Sequence, residues 1–124
     1  MELLSEIRSM EPELLDWYHQ LHRIPELELE LPQTVNYVSA QLARLGVEHR
    51  ILPGFTGIVG LVGKGPGPVV GIRADMDALE VKEETGLSFA AANDRMHACG
   101  HDSHAAMLLT VARYFKAHEE ELLG

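Results

Sequence analysis

Basic residues and long apolar runs are scarce in this sequence of 124 residues. Lys and Arg number 10 against 19 Asp and Glu, which gives a formal net charge of −9. A surface that binds nucleic acid needs cationic side chains to displace counterions from phosphates, so this charge argues against a nucleic-acid partner. The longest apolar stretch, Ile58–Val62, is far below membrane-spanning length. The composition therefore predicts a globular protein whose partner is neither a nucleic acid nor a membrane.

Cysteine is almost absent, since Cys99 is the only one. A single cysteine cannot form an internal disulfide, which fits a reducing compartment. The first residues, MELLSEIRSMEPELL, lack the basic start and apolar stretch of a signal peptide. We therefore expect a cytoplasmic protein. The acidic runs Glu26–Glu30 and His118–Glu121 are expected to lie on the solvated surface.

Apolar periodicity predicts a helix over residues 3–22, with a restart near Pro12. A second helix is predicted over residues 33–45, with Gly46 where a C-terminal cap belongs. A third helix is expected from about Ser103 to Glu120. These three segments would supply the helical layers of the domain.

Three β-rich runs separate the second helix from the third, at residues 47–52, 57–62 and 69–74. The last two are expected to be neighbours joined by a Gly/Pro turn. Residues 75–96 show no period and are expected to form a loop with one short helical turn. The order of helices, strands, loop and helix predicts α/β packing.

The glycine-rich turn GLVGKGPGP superficially resembles a phosphate-binding loop. Such a loop requires G-x-x-x-x-G-K followed by Ser or Thr. Here Gly63 and Lys64 are followed by Gly65, and Ile58 stands where the first glycine should be. The turn is therefore interpreted as a connection between strands.

Chemistry-bearing residues concentrate in HACGHDSHAAMLL, residues 97–109. Thiolate and imidazole are preferred ligands of zinc-like metals, and Gly100 between Cys99 and His101 allows unusual dihedrals that bring both to one ion. Asp102 would cap the following helix or hold an imidazole. His104 would share a helical face with His101.

Other interpretations of this segment stay open. Free cysteines are usually small buried hydrophobes, and an isolated histidine is more often a satisfied core or surface residue. Cys99 at a helix start, with histidines nearby, also resembles an activated nucleophile. Upstream, a predicted strand runs into Asp75 and Asp77, which either support a metal-binding histidine or simply form a turn.

Together these motifs resemble the aminoacylase/carboxypeptidase-like metallopeptidases. The branch pattern R-A-D-M-D-A-L-P, K-E-E-T-G-L-P-F and M-H-A-C-G-H-D-G-H is similar to RADMDALE, KEETGLSF and MHACGHDSH in this chain. WYHQLHRIPELELE is similar to an N-terminal H-R-x-P-E-L segment. That branch contains hippurate hydrolases, indoleacetyl-amino-acid hydrolases and N-acetyl-diaminopimelate deacetylases. Ser103 and Glu80 depart from the pattern without removing a ligand.

The resemblance implies a three-layer αβα, zinc-peptidase-like catalytic domain with a mixed sheet, of which residues 1–124 would be the N-terminal part. It implies that Cys99 and His101 are two ligands of a centre with two divalent ions, such as zinc, manganese or cobalt. Asp75 would support the centre, and Asp102, His104 and Asp77 would lie close to the ions without binding them. The reaction would be hydrolysis of the amide bond of N-acyl amino acids or small peptides by a metal-activated water.

The resemblance also implies that parts of the site lie outside these residues. The family uses a Glu-Glu pair and two further histidines, and its members often form homodimers through a domain that is missing here. We therefore expect the isolated chain to be inactive or nearly so. The alternatives are a non-enzymatic remnant that binds metal weakly or complements a second chain, and a cysteine-based redox or nucleophilic protein.

Overall fold

The computed structural model describes residues 2–124. It contains helices α1 (Glu2–Ser9), α2 (Glu11–His22), α3 (Pro32–Arg44) and α4 (His101–Ala117), strands β1 (Glu48–Ile51) and β2 (Ile58–Leu61), and a final 3₁₀ turn, Glu119–Glu121. Among these residues no helix has both the length and the apolarity that crossing a bilayer requires.

The first predicted helix is two helices, with the break at Met10. Pro12 lies in the first turn of α2, where its missing N–H costs no hydrogen bond and its fixed φ suits a helix start. Met10 is buried and anchors the junction, whereas α1 buries none of its own residues. The predicted restart is confirmed.

The core forms where α2 and α4 pack together. Trp17 of α2 is fully buried, and the small side chains of Ala105 and Ala106 let α4 approach it closely. Val38 and Leu42 of α3 complete this cluster from a second side. This packing places the start of α4 beside the end of α2.

Glu26 corrects the prediction that the acidic run 26–30 is solvated surface. Its side chain is buried, and its carboxylate accepts hydrogen bonds from the Thr34 N–H (2.7 Å), the Thr34 hydroxyl (2.7 Å) and the Gln33 N–H (3.1 Å). The first amide groups of a helix have no intrahelical partner, so a distant carboxylate takes the place of a local cap. Glu26 thereby ties the segment after α2 to the start of α3.

The two strands form an antiparallel hairpin in which Glu48 pairs with Leu61 and Ile51 with Ile58. The third predicted strand was wrong: residues 69–74 are extended but unpaired, and Val69 and Val70 are each 81% exposed. The hairpin partner of β2 is β1, and no other strand among residues 2–124 lies beside residues 69–74 to bond with them.

Residues 75–96 lie in a long loop, as predicted, and the loop continues to Gly100, but the expected helical turn within it was wrong. Isolated bridges pair Leu27 with Ala78 and Leu79 with Met96, and the interior of the loop contains a turn in which the Ala90 N–H donates to the Leu87 carbonyl oxygen. The last helix begins at His101 and ends at Ala117, so the predicted range from Ser103 to Glu120 was shifted towards the C-terminus.

The structure predicts that Glu26→Ala destabilises the fold by about 1–3 kcal/mol, because the Thr34 hydroxyl and the first α3 amides lose a buried acceptor. Urea denaturation followed by circular dichroism measures this loss. Glu30→Ala, at an exposed position of the same segment, is the matched control and should stay near wild type. Equal midpoints for both variants would contradict the capping role of Glu26.

Candidate functional site

The turn into α4 brings Cys99 and His101 to one place. Gly100 precedes the helix with φ +90°, a left-handed conformation that disfavours any side chain. The Ser103 hydroxyl donates to the Gly100 carbonyl oxygen at 2.7 Å, which closes the turn. The unusual dihedral expected from C-G-H is therefore present, and it sets the direction of the two neighbouring side chains.

The ring orientation of His101 is set by Asp77. His101 Nδ1 lies 2.9 Å from Asp77 Oδ1 and 3.1 Å from the Asp77 carbonyl oxygen. Both oxygens are acceptors, so Nδ1 carries the proton. In the neutral ring Nε2 then holds a free lone pair, and this arrangement of an outer carboxylate behind a histidine is typical of metal ligands.

Cys99, at the end of the loop, lies near the same carbonyl oxygen of Asp77. Its thiol is exposed and free, with Sγ 3.9 Å from the Asp77 carbonyl oxygen. Asp75 lies nearby, with Oδ2 3.9 Å from His101 Nε2, too far for a hydrogen bond. Its other oxygen pairs with Arg73 at 2.6 Å. The fold thus brings together four of the residues selected from sequence: Cys99, His101, Asp75 and Asp77.

The donor chemistry fits a zinc-like divalent ion, but the donor number falls short of a complete shell. The sulfur of Cys99 and the Nε2 atom of His101 are both suitable ligand atoms. Catalytic zinc sites use three protein ligands. No set of three His, Cys, Asp or Glu side chains in the described range is placed to hold an ion together. The pair therefore amounts to part of a site.

His104 lies one turn beyond His101 on α4, with ring centroids 6.0 Å apart, so the two share a face as expected. It is exposed and lines a shallow groove of mostly apolar side chains that runs between residues 72–74 and α4. The other lining residues from the helix are Met107, Leu108 and Val111.

Asp102 points instead into a buried cluster, which we call the His22 triad: His22, Glu83 and Asp102. His22 Nδ1 lies 2.7 Å from Asp102 Oδ2, and Nε2 lies 2.9 and 3.0 Å from the two Glu83 oxygens. The three side chains are only 3%, 2% and 0% exposed for His22, Asp102 and Glu83 respectively. Asp102 Oδ1 also accepts from the Ser103 N–H of the first turn of α4 at 2.8 Å, so the carboxylate holds an imidazole and satisfies a helix-start amide at once.

The triad requires a charged imidazole. Carboxylates only accept hydrogen bonds, so both ring nitrogens of His22 must donate, and the ring is an imidazolium. Burial opposes this charge, but the hydrogen bonds to Glu83 and Asp102 outweigh burial and raise the pKa of His22. Burial likewise opposes ionisation of Glu83, yet hydrogen bonds from Thr85, Ala91 and His22 lower its pKa to about 2.

His97 is the most unusual histidine of the segment. It is 4% exposed, and within residues 2–124 neither ring nitrogen has a hydrogen-bond partner. Its ring centroid lies 6.5 Å from that of His22. Burial lowers the pKa of His97, while the charge of Asp102 opposes this and the nearby His22 and His101 reinforce it. His97 is therefore a buried neutral ring close to the triad.

The residue-by-residue reasoning from sequence did not identify His22 and Glu83. The signal was present in the motifs HRIPEL and KEETG, which carry His22 and Glu83 and match the family pattern. Their separation of 61 residues in the chain hid the contact, because nothing local shows that one imidazole will be buried between two carboxylates.

The low pKa of Glu83 predicts a loss of stability in acid. A carboxylate whose pKa falls on folding from 4.5 to about 2 stabilises the native state above pH 4.5, and this contribution disappears as the pH falls through 2. Glu83→Gln should be less stable than wild type near neutrality and should lose less on acidification. Urea titrations between pH 2 and 6 measure both slopes. The exposed neighbour variant Glu84→Gln is the control, and parallel slopes for wild type and Glu83→Gln would contradict the assignment.

Comparison with known proteins gives the same picture. Residues 71–124 match the model of peptidase family M20/M25/M40. An IAA-amino acid hydrolase of Arabidopsis thaliana, ILR1-like 4, is 42% identical over 117 residues, which cover 90% of this chain and 27% of that protein. An N-acyl-L-amino acid amidohydrolase of Geobacillus stearothermophilus is 39% identical over 124 residues, which cover 98% of this chain and 33% of that protein.

The backbone shows the same likeness. The crystal structure of the Bacillus subtilis YXEP protein, a dinuclear metal binding peptidase from the M20 family, matches with a TM-score of 0.87 and 32% identity over 94% of this chain and 34% of that one. The chain spans about a third or less of the curated relatives named above. The predicted fold class, an α/β part of a zinc-peptidase-like catalytic domain, is confirmed. Sequence and backbone together relate this chain to the hydrolases of peptidase family M20/M25/M40.

Proposed function

We propose that this chain is the N-terminal portion of the catalytic domain of a metal-dependent amidohydrolase that acts on N-acyl amino acids. The observation that carries the proposal is the convergence of Cys99 and His101 on Asp77, with the imidazole held so that Nε2 is free. Support comes from the names of the relatives, which hydrolyse an indoleacetyl-amino acid or an N-acyl amino acid.

In this proposal each residue has a separate role. Cys99 and His101 hold a divalent ion, and Asp77 fixes the tautomer and direction of His101. Asp75 supports the centre from the extended segment, where Arg73 restrains one of its oxygens. When bound, the cation supplies Lewis acidity and lowers the pKa of a water to about 7, as in other metal-assisted hydrolases.

The remaining machinery belongs to other parts of the protein. Two protein ligands hold a catalytic metal weakly, and no side chain assigned here serves as the general base for water. We therefore propose that a Glu-Glu pair, further histidines and a dimerisation domain lie outside these residues. Two ions of zinc, manganese or cobalt per complete site are part of the proposal, and the YXEP structure, a dinuclear peptidase, supports that number. A reducing compartment such as the cytoplasm would keep the exposed Cys99 thiol available.

The exposed apolar surface favours a second candidate, in which this chain complements a separate polypeptide. Val69 and Val70 are exposed in an extended segment, and the groove beside His104 is lined mainly by apolar residues of α4. Such surfaces are typical of protein contacts. The third candidate, a cysteine-based redox or nucleophilic protein, differs in predicting that Cys99 reactivity survives removal of metal.

We expect the chain to bind one Co²⁺ weakly through Cys99. Titration of the metal-free protein with cobalt should produce a near-ultraviolet thiolate-to-cobalt absorption band. Cys99→Ser should abolish the band, and His101→Asn should weaken binding because the imidazole ligand is lost. His49→Asn, far from this turn in sequence, is the histidine control. A band that persists unchanged in Cys99→Ser would rule out the thiolate ligand.

We also expect hydrolysis of N-acetyl or N-benzoyl amino acids only when the rest of the domain is supplied. The remainder of the Geobacillus relative, outside the matched third, is a suitable second polypeptide. Product release should need both chains and a divalent ion, and a chelator should stop it. Robust turnover by the 124-residue chain alone would contradict this expectation.

A further inference from the structure

We propose that His22 is a positioning residue for Cys99 and His101, the two candidate metal ligands. By binding Asp102 and Glu83 at once, it fixes the first turn of α4 and the loop before it, so that Cys99 and His101 face the same point beside Asp77. This inference rests on the proposed function, because it concerns the same two ligands. His22 touches neither of them and acts through its two carboxylate partners.

The first step is the rotation of α4 about its axis. His101 and Asp102 are the first two residues of this helix, and successive residues of a helix point about 100° apart. Asp102 is anchored to His22 at 2.7 Å, whereas the ring of His101 reaches Asp77 at 2.9 Å. Because His22 holds Asp102, the rotation of α4 about its axis is fixed. The side chain of His101 must then project towards Asp77.

The second step is the way in which the first amide groups of this helix are held. Gly100 has no side chain to cap the first turn, and the Asp102 carboxylate accepts from the Ser103 N–H at 2.8 Å instead. Helix ends fray unless their free amide groups or first side chains are held. Since the other oxygen of the same carboxylate binds His22, the His22 contact holds the group that satisfies this amide, while Asp77 holds the ring of His101.

The third step is the loop. Asp77 and Cys99 stand near its two ends, and Glu83 lies between them. The Glu83 carboxylate accepts from the Ala91 N–H at 2.9 Å as well as from His22, so it links both arms of the loop to α2. Phe89, from the same loop, stacks on His19 of α2 with ring centroids 4.0 Å apart. His22 and His19 of α2 thus hold the loop through these two contacts.

The test compares His22→Gln with Glu13→Gln in the 124-residue chain, with Co²⁺ alone as the probe. Glu13 also joins α2 to α4, through Arg113 at 2.5 Å, but does so away from the candidate ligands, and it pairs with Arg44 as well. Loss of Glu13 therefore weakens helix docking without touching the triad. The unfolding midpoints of both variants are measured as well. If the midpoints are equal, a difference in cobalt binding reflects a loss of positioning and not a general loss of stability.

We expect His22→Gln to raise the Kd for Co²⁺ by about 10- to 100-fold, the range seen when groups that orient metal ligands are lost, and to shift or remove the thiolate-to-cobalt band. Glu13→Gln should keep the wild-type Kd and band. In the metal-free chain, the ¹⁵N resonances of the His101 ring should move in His22→Gln and stay in place in Glu13→Gln. Unchanged resonances and Kd in a folded His22→Gln protein would overturn the proposal.

The design separates this inference from the proposed function. If wild-type protein gives no cobalt band, the metal assignment fails, and the His101 resonances and the alkylation rate of Cys99 in metal-free protein decide the positioning role by themselves. If His22→Gln does not fold, Glu83→Gln takes its place with the same readouts, because it removes one charged partner and keeps the imidazole. Wild-type resonances in that variant would likewise overturn the proposal.

Discussion

The structure depends on one imidazolium held between two buried carboxylates. His22 ends α2, Asp102 begins α4, and Glu83 belongs to the long loop, so a single ring joins three segments that are far apart in the chain. Taking these charges out of water is costly, and their hydrogen bonds must be complete to compensate. Burial raises the pKa of the adjacent Tyr18 hydroxyl, and the net negative charge of the cluster, with its one cation and two anions, raises it further.

The positions of the two candidate metal ligands, Cys99 and His101, depend on this arrangement. Gly100 makes the turn, Asp77 selects the tautomer of His101, and the triad fixes the helix from which His101 projects. Each of these restraints acts on a different degree of freedom: a backbone dihedral, a ring orientation and a helix rotation. The two candidate ligands are nevertheless well organised, because side chains other than the ligands do most of the positioning.

Local patterns predicted most of the helices and the pair of candidate ligands. Pro12 and Gly46 marked helix boundaries through backbone constraints that any sequence reader can apply, and C-G-H carried the donor chemistry. Long-range contacts were not predictable in the same way. Glu26 looks like one of several surface glutamates, and only its distance to the start of α3 in the folded chain makes it a cap.

The predicted third strand shows a different limit. Residues 69–74 have the composition of a strand, and the backbone there is extended, but a strand also needs a neighbour to share its hydrogen bonds. Composition reports the preference of a segment and is silent about the presence of a partner. Candidate ligands were easier to identify because the chemistry of a thiol or an imidazole resides in the residue itself.

The unpaired segment at residues 69–74 affects how the chain behaves at high protein concentration. Val69, Val70 and Ile72 present apolar side chains together with open backbone donors and acceptors, the combination from which edge-to-edge association and cross-β stacking grow. Two copies meeting along this segment would satisfy each other's amides, and further copies could extend the ladder. Arg73 places a charge inside this segment, and the prolines at 66 and 68 just before it have no N–H to donate. Both features limit how far such a ladder can spread.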